Sequence, residues 1–132
     1  MANTFKVVTF AAEPPDAGGG TPDDYVVYTA ASTKTTVVLG LILSNIHTSQ
    51  VTATVKLVSD TAARGGALNV SDENTVANGT AFLAKDIPIP VGSSVELLSG
   101  NKVVLEATDQ IRIDCSVADK LSGSLSIMEI TA

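Results

Sequence analysis

The sequence predicts an all-β protein: a single antiparallel β-sandwich, jelly-roll-like domain of about eight or nine strands with two long loops. Three observations predict it. The chain has 132 residues, the length of one domain that buries a core without staples. Val, Ala, Thr, Ser, Leu and Ile dominate, with two Tyr, three Phe and no Trp, and such β-branched composition favours extended backbone. Apolar residues alternate with polar ones at period two, broken by turn signals every 8 to 12 residues or so. The single domain therefore spans residues 1–132.

Phe5 to Phe10 is the first strand. Residues 11–24 follow, with three Pro and three Gly in 14 positions, and form the first long loop. Tyr25 to Thr29 is the second strand. Val37 to Ser44 is apolar on both faces, as a central strand covered on both sides should be. Residues 45–49 connect it to the cleanest alternation in the chain, in which Val51, Ala53, Val55 and Leu57 point one way and Thr52, Thr54 and Lys56 the other. Residues 60–80 have no period and form the second long loop, an excursion from the sandwich along which Leu68, Val70 and Val76 are apolar anchors. Ala81 to Asp86 resumes as strand, and residues 87–92 turn the corner. Val95 to Leu98 and Lys102 to Leu105 flank a tight hairpin at Ser99-Gly100-Asn101. Ile111, Ile113, Cys115 and Val117 then alternate with polar residues. Leu121 to Thr131 closes the chain, with a shift of phase between Ile127 and Met128 that suggests a bulge or a strand covered on both faces. Two sheets of about four strands each would account for nearly all of these apolar positions.

Composition excludes several kinds of function. Eight Lys and Arg stand against 14 Asp and Glu, a net charge of -6, so no basic cluster offers a nucleic-acid surface. No apolar run approaches the ~20 residues of a membrane-spanning helix, and the start, Met1-Ala-Asn-Thr-Phe-Lys, lacks the features of a signal peptide. One cysteine, Cys115, cannot make an intrachain disulfide, and one histidine, His47, cannot build a His-rich zinc site. No cofactor or metal is expected.

Each candidate for chemistry has a plainer reading. Asp16, Asp23 and Asp24 bracket a Gly-rich loop but lack the spacing of a calcium loop. Asp72 and Glu73 are solvated loop charges. His47 lies near Ser49, with Asp60 a strand away, but no Gly-x-Ser-x-Gly elbow supports a triad. Cys115 falls on the inward side of its strand and behaves as a small hydrophobe. Asn69-Val-Ser71 and Asn78-Gly-Thr80 fit a glycosylation pattern that has meaning only in a secreted chain. Ala63-Arg64-Gly65-Gly66 lacks the ending of a phosphate loop. The scarcity of aromatics argues against a sugar-stacking site. No catalytic residues are expected.

Residues 28–41 (YTAASTKTTVVLGL), 43–45 (LSN), 49–55 (SQVTATV), 87–94 (IPIPVGSS), 102–109 (KVVLEATD) and 125–131 (LSIMEIT) carry a resemblance. In order and style they resemble small β-sandwich virion proteins of tailed bacteriophages, especially phages of cyanobacteria. The resemblance covers roughly residues 25–59 and 81–131, and departs at Ala31, where the relatives more often have Pro. It implies a non-enzymatic virion structural protein, made in the host cytoplasm. The role expected first is a capsid decoration or cement protein that binds the shell as a homo-oligomer against the major capsid protein or other virion proteins, with no nucleic-acid or membrane partner. A tail, neck or fibre-associated protein and a receptor- or carbohydrate-binding module are the alternatives. Self-association, with a trimer as first expectation, follows from the strongly apolar strands (mean hydropathy +0.31). The expected assembly contacts are Leu68, Val70 and Val76 on the long loop, and Val37, Leu39, Leu41, Ile127 and Ile130 on the doubly apolar strands.

Overall fold

The computed structural model describes residues 2–11, 25–59, 80–98, 102–117 and 119–131. They form nine strands and, among the described residues, no helix: β1 (Ala2–Phe10), β2 (Tyr25–Thr29), β3 (Lys34–Asn45), β4 (Val51–Val58), β5 (Thr80–Ile89), β6 (Ser94–Leu97), β7 (Val103–Leu105), β8 (Gln110–Cys115) and β9 (Leu121–Thr131). Sheet A has the order β1-β9-β3-β6, with β7 also paired to β3 beside β6; sheet B has the order β2-β8-β4-β5. All pairings are antiparallel.

The order follows from nesting. β4 pairs with β5, β3 with β6 and β7, β2 with β8, and β1 with β9, so the chain doubles back on itself as one long hairpin with its tip at β4–β5. Rolling that hairpin up brings β9 against β3 and β8 against β4, which divides the strands between two sheets in the manner of a jelly roll. The β-sandwich read from the alternation is thus the fold.

The core lies between the sheets. Val38, Leu41 and Leu43 of β3, Leu121, Leu125 and Ile127 of β9, and Leu105 of β7 meet Val51, Ala53 and Val55 of β4, Ile111, Ile113 and Cys115 of β8, Val27 of β2 and Ile89 of β5. Cys115 is buried, as the inward phase of its strand requires. Every strand expected from the sequence is present, with two local corrections and one of pairing: β6 and β7 are not the arms of a hairpin, since both pair antiparallel with β3 and follow one another along its edge. Strand β5 continues to Ile89, and its irregularity lies earlier, at Lys85-Asp86, where the register against β4 shifts. Asp86 has φ of 50° there, and its N–H donates to Thr54 Oγ1 at 3.0 Å, which locks the bulge. The corner itself is the turn Pro90–Ser93, closed by the Ser93 N–H on the Pro90 carbonyl with Gly92 at φ 73°. The second correction concerns β9. Its inward phase runs unbroken through Leu121, Gly123, Leu125, Ile127 and Glu129, and the register shift lies instead on β3, between Val38 and Gly40. The apparent change of phase arises because a buried carboxylate, Glu129, takes an inward place between the outward Met128 and Ile130.

Gly123 fits a tight place between Phe10 and Leu43 in the ladder. A Cβ there would lie 2.6 Å from the Ile42 carbonyl oxygen and 2.7 Å from Phe10 Cζ. Gly123→Ala should therefore cost about 1–3 kcal/mol of folding free energy in urea unfolding. A loss below about 0.5 kcal/mol would show that both the Phe10 ring and the β3 backbone at Ile42 give way at little cost.

Candidate assembly surface

The two outer faces of the sandwich differ in chemistry. On sheet B, one register row crosses the sheet as Val26, Arg112, Lys56 and Phe82. Arg112 donates through Nε and Nη2 to Gln110 Oε1, and Lys56 and Lys85 lie 5.4 and 5.0 Å from the centroid of the Phe82 ring. This face is built for water.

Sheet A turns apolar groups outward. Pairing places Phe5 of β1 opposite Met128 of β9, Met128 opposite Val37 of β3, and Val37 opposite Val104 of β7. Partners in a ladder share a face, so these four side chains form one apolar row across the whole sheet. Phe5 is 72% and Val104 55% exposed, and Val7 on the same face of β1 is 63% exposed. Ile130, one step along β9, and Leu39, at the β3 bulge, are half-buried beside the row. Isolated exposed apolar residues need no explanation, but an aligned row does.

Away from the row, Ser122, Ser124 and Ser126 give β9 a low outward floor. Grooves of about 370 and 240 Å³ lie over this floor on either side of Ile42, which is 44% exposed. Their walls carry serine hydroxyls and one carboxylate, Glu96, with no histidine or lysine to act as base. Such walls offer hydroxyls and one carboxylate for hydrogen bonds to a bound molecule.

One buried charge cluster ties the sheets together. The Glu129 side chain, 6% exposed, takes Lys6 Nζ at 2.7 Å and Lys34 Nζ at 3.2 Å on Oε1, and the Tyr28 hydroxyl at 2.6 Å on Oε2. Tyr28 has one proton and gives it to the carboxylate, so the Thr36 hydroxyl, 3.0 Å away, must donate to Tyr28. Lys6 and Tyr28, followed by burial and Lys34, set the Glu129 balance, and the carboxyl is held down at about 2. Burial, then the bond to Glu129, pushes the Tyr28 phenol up. A carboxylate saturated in this way is a clamp, not a general acid or base.

The expected contact residues divide into three groups. Leu41 and Ile127 have no exposed surface and belong to this chain's own core, because the strands read as apolar on both faces each keep one face inside. Val37 belongs to the row on the outer face, and Leu39 and Ile130 lie beside it. Leu68, Val70 and Val76 lie outside the described residues, as do Asp16, Asp23, Asp24, Asp60, Asp72, Glu73 and residues 99–101. His47 sits in the turn after β3, where its N–H donates to Asn45 Oδ1 at 2.7 Å, while Asn45 Nδ2 donates to the carbonyls of Ser49 and Ile89. The turn is thus organised by Asn45. Sequence reasoning passed over Phe5, Val7, Ile42 and Val104; the signal for the first two was their odd position on a strand whose buried end is Phe10. Among the described residues no group of His, Cys, Asp and Glu could hold a metal ion, and no helix is long and apolar enough to cross a membrane.

Topology and surface together define a jelly-roll sandwich with one polar and one apolar outer face. Among solved structures, the chain is similar to a chain of the T13 infectious bursal disease virus particle, at 14% identity and TM-score 0.49 over 98% of this chain and 31% of that one. It is similar to the VP2 subviral particle of the same virus at 15% identity and TM-score 0.46, over 98% and 33%. It is also similar to a disulfide-linked pilus protein of Bacillus endospore appendages, at 14% identity and TM-score 0.43, over 98% and 87%. The chain spans about a third of the length of those viral chains, and the likeness concerns the arrangement of strands alone. Neither a known protein family nor a curated protein matches the sequence.

The Glu129 clamp makes stability depend on acid. A carboxyl held at about 2 when folded and near 4.5 when unfolded stabilises the fold fully above about pH 4.5, and that contribution is lost as pH falls toward 2. Glu129→Gln should lower stability at pH 7 by about 1.5–3 kcal/mol, with the gap to the parent protein closing as the pH of urea unfolding is brought down to 3. A gap that stays constant with pH would mean that the carboxylate contributes nothing by its charge.

Proposed function

We propose that this chain is a non-enzymatic virion structural protein, in the first place a capsid decoration or cement protein, which docks a shell protein on the outer face of sheet A. The observation that carries the reading is the wholly apolar Phe5–Met128–Val37–Val104 row on one face, against a row on the other in which Arg112 and Lys56 stand between Val26 and Phe82. A sandwich with a single core needs neither of its outer faces apolar. A partner that covers one of them accounts for the difference, and many weak copies of such a contact on a symmetric shell add up to firm attachment. The resemblance to phage virion proteins supplies the kind of partner. Among the described surface, the grooves offer no acid–base pair for an enzyme, and the exposed aromatics, Phe5 and Phe82, line neither groove as a sugar platform would require.

Phe5→Ser combined with Val104→Ser tests the reading, since both side chains are mostly exposed in the free protein. The melting temperature should move by less than roughly 3 °C, while attachment to particles lacking the protein should weaken more than about tenfold, some 1.4 kcal/mol. Undiminished attachment would remove the face from the interface. Robust binding on a glycan array, abolished by the same changes, would transfer the face to a carbohydrate-binding module.

A further inference from the structure

Sheet edges expose unpaired N–H and C=O groups, and proteins that must not join edge to edge defend them. This sandwich has four edges and defends three. In sheet B, β2 is five residues long and interrupted by a register shift between Val26 and Tyr28. At the opposite edge β5 carries the Asp86 bulge, Pro88 and an exposed Lys85. In sheet A, the edge beside β3 is divided between β6 and β7, of four and three residues. β1 is different. Its nine residues contain no proline, and they pair with β9 from Ala2–Thr131 to Phe10–Gly123 without a shift. Its one charge, Lys6, lies on the inner face, 49% exposed, and is paired with Glu129 at 2.7 Å, so the charge at this edge is not left unpaired. Among the described residues, no strand pairs with the other side of β1.

We infer that β1 pairs antiparallel with β1 of a second copy of this chain, across a twofold axis at Phe5, so that two A sheets become one. The inference does not depend on the chain being a virion component. The register is selected by the side chains. Ladder partners share a face, so odd residues must meet odd ones. An axis at Lys6 would set two lysines directly opposite each other, which is destabilising. An axis at Val7 would put Phe5 opposite Thr9 and break the apolar row. With the axis at Phe5, Phe5 meets Phe5, Asn3 meets Val7, Thr4 meets Lys6 and Ala2 meets Val8. The row then runs unbroken from Val104 of one copy through Val37, Met128 and Phe5 to the same residues of the other. A twofold contact needs a surface complementary to itself, and this strand provides one.

Cysteine cross-linking of the full chain reads this geometry. Phe5→Cys should yield a covalent dimer of twice 13.5 kDa under mild oxidation at micromolar concentration, whereas Ile46→Cys, at a residue 48% exposed in a turn, should not. A mixture of Asn3→Cys and Val7→Cys proteins should cross-link at least about tenfold faster than either alone, because only the mixture brings thiols opposite each other. The buried Cys115 is common to every variant and cancels. On the unaltered protein, amide exchange in β1 should slow as concentration rises. Cross-linking of Phe5→Cys no faster than of Ile46→Cys, no advantage for the mixture, or β1 exchange independent of concentration would each overturn the inference. Undiminished particle attachment of the Phe5→Ser/Val104→Ser protein, with cross-linking of Phe5→Cys as expected, would instead count only against the outer face as a shell contact.

Discussion

The structure depends on the ladder between β3 and β9. It runs from Lys34–Thr131 to Asn45–Leu121, so it closes the last strand of the chain against the third. Without it the chain would be a long hairpin with both faces wet; with it, Leu41, Leu43, Leu125 and Ile127 face sheet B as one side of a core. The partners are far apart in sequence, so the ladder forms only after a large loop has closed, and local propensity cannot hold it alone. Glu129 answers part of that need. Placed near one end of the ladder, it gathers Lys6 from β1, Lys34 from β3 and Tyr28 from the other sheet, and so ties the two sheets together there.

The strands were readable because alternation at period two is a direct consequence of burying one face, and in β4 and β8 nothing interferes with it. The deviations have physical causes. β1 begins earlier than its apolar residues announce, since pairing to β9 orders Ala2 to Thr4 whatever their side chains. Val37 to Ser44 reads as apolar on both faces, and it is, but Leu39 stands at a register shift that no single strand can reveal, because a bulge is a property of two strands. In β9 the sequence offers Ile127, Met128 and Ile130 and invites a change of phase; only the three partners of Glu129, all distant in the chain, explain how a carboxylate can take the inward position between them. The candidate surface was half readable for the same reason. Val37, Leu39 and Ile130 followed from an excess of apolar residues, whereas the row that contains Val37 exists only once four strands are in register.

A jelly roll by itself assigns no task. The same architecture serves shells, lectins and small-molecule sites, and what separates these is where the sandwich places its chemistry. Here the described surface places none of the usual reactive constellations. Tyr28 and Glu129, the groups whose titration is displaced, are occupied with each other and with two lysines. What remains distinctive is the inequality of the two outer faces, a feature that has meaning for contact with other molecules and none for the folding of an isolated domain.

That inequality and the inequality of the edges meet in one strand. β1 contributes Phe5 and Val7 to the apolar face and is also the one long, regular edge among the four. Either feature alone would be tolerable in a monomer, since an exposed phenylalanine costs little and a polar edge can be solvated. Together they make a strand with a free hydrogen-bonding side and a sticky face, the combination that protein sheets ordinarily break with a charge, a proline or a bulge. All three devices occur at the β5 edge of this same chain, so it has the means of closing an edge. Leaving β1 open is then consistent with a strand whose free side is meant to be paired.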